Sequence, residues 1–116
     1  RKGESNPAFA PRPRPVAAVL CGDFNLEPHS VEYALMAQPL AAEARLAADW
    51  CDAWRVVHDV PHRASVGVNG AEWPDRPYCC DFFWVSENLV PHVAALEVRH
   101  DTAASDHQPL VLTLAG

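Results

Sequence analysis

The sequence predicts a mixed α/β (α+β) domain, and three observations predict it. Apolar or aromatic runs of strand length recur at Val16–Cys21, Tyr78–Val85, Val93–Val98 and Leu110–Leu114. Between the first two lie stretches whose apolar residues repeat at helical spacing. A chain of 116 residues that is 49% hydrophobic has apolar material for one modest core and too little for two.

Residues 1–15 hold four of the eleven prolines, which forbid a regular helix or a central strand, so this segment reads as a loop or linker. Val16–Cys21, bounded by Pro15 and Gly22, has the continuous apolar character of a strand buried on both faces. Ser30 can cap a helix running to about Gln38, with Val31, Ala34, Leu35 and Ala37 at helical spacing before Pro39 stops it. A second helical stretch is expected over Ala41–Ala48. The Trp50–Val57 segment mixes helix formers with β-branched residues and is assigned to a short helix. Pro61–Pro77, rich in turn chemistry at Gly67, Asn69-Gly70 and Trp73-Pro74, reads as a long loop of the kind that often serves function. Three strands follow, at Tyr78–Val85, Val93–Val98 and Leu110–Leu114, the last two separated by a polar loop ending at His107.

Nine Lys and Arg against fifteen Asp and Glu leave a net charge of −6, with no basic block. A basic nucleic-acid clamp of the usual kind is therefore absent from these residues, and any phosphate chemistry would have to recruit cations. The substrate then stays open between nucleic acid and a phosphoinositide-like or other small phosphate ester. No apolar run approaches bilayer length and no signal-peptide pattern opens the chain, so a soluble, cytoplasmic protein is the expectation. With no sign of an oxidising compartment, Cys21, Cys51, Cys79 and Cys80 are expected to be reduced and mostly buried. Their spacing matches no zinc motif, because adjacent Cys79 and Cys80 would point to opposite faces of a strand.

Three clusters offer chemistry. Gly22-Asp23-Phe24-Asn25 stands where a strand ends, and residues two apart there project the same way, so one carboxylate and one amide can meet a water and a phosphate oxygen. As bland turn residues they would only bond nearby backbone. Ser105-Asp106-His107 supplies a hard oxygen ligand and a titratable imidazole. Asp81 is the one charge in an aromatic strand, so it needs a partner or an edge position facing water, and His107 is the partner expected.

Taken together, Cys-Gly-Asp-Phe-Asn after an apolar strand, then Cys-Asp-Phe-Phe-Trp-Val-Ser, then Ser-Asp-His-Gln-Pro-Leu, in that order, resemble the endonuclease/exonuclease/phosphatase superfamily of DNase I-like enzymes. The resemblance runs from about Pro15 to Leu114. It departs at the middle motif, where Cys79 and Phe82 stand in place of the usual Arg-like residue and Tyr.

The resemblance implies half of a four-layered α/β/β/α sandwich, with residues 16–116 forming its C-terminal half. It implies a metal-dependent phosphoesterase, a hydrolase or nuclease cleaving phosphodiesters or phosphomonoesters by in-line attack of an Asp-activated water. The catalytic residues would be Asp23, Asn25, Asp81 and His107. Asp106 and Asp23 would bind Mg2+, or Mn2+, since the ligands are oxygens. Trp73, Pro74 and Arg76, with His29 and Arg63, are candidates to meet substrate, whereas His58 and His62 read as surface residues because Pro61 breaks the helix between them. The superfamily's first half supplies an Asn and a metal-binding Glu, roles that Glu4 and Asn6 in the proline-rich segment do not fit. Because the chain opens on Arg1, it is expected to be a processed product or a piece of a longer frame, inactive or very weak until an N-terminal half joins it in cis or as a second chain. The alternative is a non-catalytic remnant of this fold acting as a binding module.

Overall fold

The structure, a computed structural model, describes residues 17–38, 49–68, 76–101 and 103–116. The proline-rich segment 1–15, the helix expected at Ala41–Ala48, and Asn69-Gly70, Trp73 and Pro74 lie outside the described residues. The elements run β1 (Val19–Asp23), α1 (Val31–Ala37), β2 (Trp50–Asp52), α2 (Ala53–Val57), β3 (Asp81–Ser86), a 3₁₀ turn (Glu87–His92), β4 (Val93–Val98) and β5 (Leu110–Leu114). This is a mixed α+β arrangement. No described helix is long and apolar enough to cross a membrane.

Two antiparallel sheets are present among the described residues, one of order β1-β3-β2 and one pairing β4 with β5. β3 organises the molecule because its alternation feeds two cores. Phe82 and Trp84 pack with Tyr33 and Cys79, while Phe83 and Val85 meet Ala53, Trp54, Val93, Leu96 and Val98. β4 and β5 take the predicted bounds, and Val98 pairs with Leu110. The Arg99 N–H donates to the Pro109 carbonyl at 2.9 Å and closes the base of the loop that carries His107.

Several expectations are corrected. Of the strand expected at Val16–Cys21, Val16 lies outside the described residues and Ala17 and Ala18 precede β1, which starts at Val19 and is exposed at all five positions, with Val19 and Leu20 each 40% exposed. Among the described residues it is an edge strand whose hydrogen-bonding partner is β3. α1 is capped as predicted, Ser30 Oγ accepting from the Tyr33 N–H at 3.1 Å, but it buries Tyr33 and leaves Val31 and Leu35 in solvent. Trp50–Val57 is a strand and then a helix, because Asp52 ends the β pairing and caps α2, its Oδ1 accepting from the Trp54 N–H at 3.0 Å. All four cysteines are free; Cys79 and Cys80 are buried as expected, but Cys21 is exposed on the edge strand.

His62 is not a surface residue. Its Nε2 pairs with Asp52 Oδ2, which also accepts from Tyr33 Oη, and Arg55 Nε donates to that same hydroxyl at 2.7 Å. His58 stacks on Trp54 at 3.8 Å between ring centroids, with Nε2 2.9 Å from the Leu96 carbonyl. The Pro61 break does part the two histidines, but each is drawn inward by a partner that lies elsewhere in the sequence.

Candidate active site

The antiparallel register between β1 and β3 sets Asp23 directly across from Asp81. Two carboxylates facing each other on adjacent strands repel. The His107 ring lies between them, Nδ1 2.8 Å from Asp81 Oδ2 and Nε2 3.6 Å from Asp23 Oδ2. A protonated imidazole there is offered an acceptor at each nitrogen, which offsets the repulsion.

The first motif holds its turn by itself. Asn25 sits at φ +53°, a left-handed conformation that Asn tolerates better than most residues, and its N–H donates to Asp23 Oδ1 at 2.8 Å. The Phe24 N–H donates to the Cys80 carbonyl at 2.9 Å, so β1 stays pinned to the β3 side through the turn. One Asp23 oxygen is thus used to shape the backbone and the other faces His107.

The Asp81–His107 pair is held by Ser65 and Val66, within the stretch Pro61–Pro77 that reads as a long loop. Ser65 Oγ accepts from the Cys80 N–H at 3.0 Å and the Asp81 N–H at 3.2 Å, and the Ser65 carbonyl accepts from the Gln108 N–H at 2.7 Å. Val66 then bridges Tyr78 on one side and His107 on the other. Ser65 and Val66 are fully buried. Gly67 follows at φ +77°, where a Cβ would stand 2.3 Å from the Arg76 carbonyl oxygen, so only glycine lets the chain pass. β3 and β5 belong to different sheets, and Val66 links the segments before them, bridging to Tyr78 and to His107. Of the Ser65 and Val66 roles, the sequence shows only a small polar and a β-branched residue before a glycine.

Asp81 is half-buried at the start of the central strand, not an edge residue facing water. Its hydrogen bond holds the His107 imidazole above the ordinary histidine value of 6.5, helped by the negative charges of Asp81, Asp23 and Asp106 and opposed by burial. A folded-state value above the unfolded one means the pair stabilises the fold fully below the unfolded value and loses that contribution as pH rises through the folded value. An NMR titration of the His107 ring is expected to give a midpoint above 6.5 that falls in Asp81→Asn. A midpoint at or below 6.5 would contradict the pairing.

Asp106 is not drawn into this cluster. It is exposed, and Ser105 Oγ donates to its Oδ1 at 3.4 Å. The donors that do come together are one atom each from Asp23, Cys80, Asp81 and His107, all within 4.8 Å of one another. Cys80 was not expected there. Burial, and then the charges of Asp81 and Asp23, push its thiol up to about 12.

The candidate substrate residues that the structure describes, Arg76, His29 and Arg63, fall elsewhere. Arg76 forms a two-pronged pair with Glu27 at 3.0 and 2.7 Å and lies over the Tyr78 ring. With His29, Arg55, His58 and His62 it lines a cleft of about 740 Å3 that includes none of Asp23, Asn25, Asp81 and His107. A smaller hollow of about 220 Å3, lined by Gly22, Asp81, Phe83 and Gln108 among others, adjoins the pair. Arg63 instead reaches His100, Nε to Nδ1 at 3.2 Å. No family model matches this chain, and no curated protein matches it.

Proposed function

We propose that the chain carries the Asp–Asn and Asp–His portion of a phosphoesterase site of the endonuclease/exonuclease/phosphatase type, within half of a four-layered α/β/β/α sandwich. The observation that carries this reading is His107 suspended between Asp81 and Asp23. Asp23 accepts the proton of the attacking water, and Asn25, two residues on, hydrogen-bonds that water or a phosphate oxygen. His107, kept protonated by Asp81, donates to the phosphoryl oxygens as negative charge builds on them. Asp81 positions the imidazole and fixes which nitrogen faces the substrate.

The four-donor cluster does not fit the magnesium expected from the motifs. Mg2+ wants a near-octahedral shell of oxygens, whereas half of these donors are a thiol and an imidazole. A Mg2+ or Mn2+ cofactor would have to be held by oxygens outside the cluster, with Asp106 and a carboxylate from a further segment as the candidates. The exposed edge strand β1, with Val19, Leu20 and Cys21 exposed beside Asp23, supports such a segment packing there, in cis or from a second chain.

The test is hydrolysis of bis(p-nitrophenyl) phosphate and p-nitrophenyl phosphate, with added Mg2+ or Mn2+, by the protein in its native length and by residues 1–116 alone. The native-length protein is expected to hydrolyse one of the two and the 116 residues to fall near background. A folded native-length protein that hydrolyses neither would overturn the reading.

A further inference from the structure

Asp23 comes from the end of β1, Cys80 and Asp81 from the entry to β3, and His107 from the loop before β5, yet one donor atom of each lies within 4.8 Å of the other three. The two cysteines part here as an extended backbone requires. Cys79 packs with Tyr33, Phe82 and Trp84. Cys80, only 3% exposed, turns its Sγ toward the acids, 3.6 Å from Asp81 Oδ2. As a thiol it donates a weak hydrogen bond to that carboxylate, and as a thiolate it would present a soft donor to the same cluster.

One sulfur, one ring nitrogen and two carboxylate oxygens are the donors Zn2+ takes in four-coordinate sites. Tetrahedral zinc bonds of roughly 2.0–2.3 Å set its ligands about 3.3–3.8 Å apart. The cluster is therefore loose by about 1 Å at its widest, a closure that the half-exposed Asp23 and His107 side chains can supply. Spacing rules for zinc miss such a site because its single thiol and single imidazole stand far apart in sequence.

We propose that Asp23, Cys80, Asp81 and His107 form a zinc site, with Cys80 as the donor that selects zinc over magnesium. Binding displaces the Cys80 thiol proton to solvent and turns the thiolate onto the metal. A second consequence rests on the phosphoesterase reading given above: zinc engages the same Asp23 and His107 that act on the substrate, so it inhibits hydrolysis.

Zinc affinity, measured by competition with a chromophoric chelator, tests the site without reference to activity. The metal-free protein is expected to bind one zinc that excess Mg2+ does not displace. Losing a ligand should cost at least what outer-shell changes cost, so Cys80→Ser is expected to weaken zinc about 10–100-fold or more. Cys21→Ser, which removes the exposed thiol on β1, should leave the affinity unchanged. If Cys80→Ser fails to fold, Co2+ bound to the unaltered protein still decides, since cobalt held by a thiolate shows a near-ultraviolet charge-transfer band and cobalt held by oxygen and nitrogen does not. An affinity unchanged by Cys80→Ser, or cobalt bound without that band, overturns the site. Zinc bound as described by a native-length protein that hydrolyses no phosphate ester supports the site and removes the phosphoesterase reading instead. Hydrolysis that continues with zinc fully bound removes the inhibition.

Discussion

His107→Ala is expected to lower phosphate-ester hydrolysis by the native-length protein about 10²–10⁴-fold, the usual range for a positioned proton donor or acceptor. The loss should fall mainly on kcat, because the imidazolium is needed most when charge accumulates on the phosphoryl oxygens rather than when substrate first binds. The side chain is partly exposed and belongs to neither apolar core, so the variant should keep its far-ultraviolet circular dichroism. Its removal also leaves Asp23 and Asp81 facing each other with nothing between them. Hydrolysis indistinguishable from the unaltered protein would remove His107 from the mechanism.

The largest effect on stability is expected at Asp52. Asp52→Ala should lower the free energy of unfolding by about 3–5 kcal/mol, the combined scale of a lost helix cap and of two buried groups left without their acceptor. Asp52 does three things at once: it caps α2, accepts from Tyr33 Oη and pairs with His62. Alanine would strand a buried hydroxyl and a buried imidazole without acceptors, the costly side of the hydrogen-bond balance. Urea denaturation measures it, and a midpoint unchanged from the unaltered protein would mean the network contributes nothing. Tyr33→Phe should cost less, because it removes a donor and leaves Asp52 with His62 and the cap.

How far the sequence spoke depended on how local each interaction is. β4 and β5 were legible to the residue, since β-branched and leucine runs flanked by polar loops carry their own signal. The α1 cap was legible for the same reason, Ser30 acting on a backbone N–H three residues away. Burial of β1 was misread because apolar content reports what a strand can bury, and not what packs on it. Of the site, the pairing of Asp81 with His107 followed from the cost of a lone buried carboxylate. The approach of His107 to Asp23 and of Cys80 to both acids arises from strand register, which no single stretch encodes. His62 was misjudged similarly: a histidine after a proline looks exposed until Asp52, ten residues back, is placed beside it.

Ser65 and Val66 also decide when the site exists. The bonds from Ser65 to the Cys80 amide and from His107 to Asp81 close separations of 15 and 26 residues, and the Gln108 amide must reach Ser65 as well. Each closure costs chain entropy before any contact offsets it, so the loop before β5 settles against Ser65 after the local turns and hairpins have formed. Opening follows the same route in reverse. The Cys80 and Gln108 amides, both held by Ser65, exchange their hydrogens with solvent when these connections part, so their protection from exchange counts how often the site comes apart while the rest of the sheet stays intact.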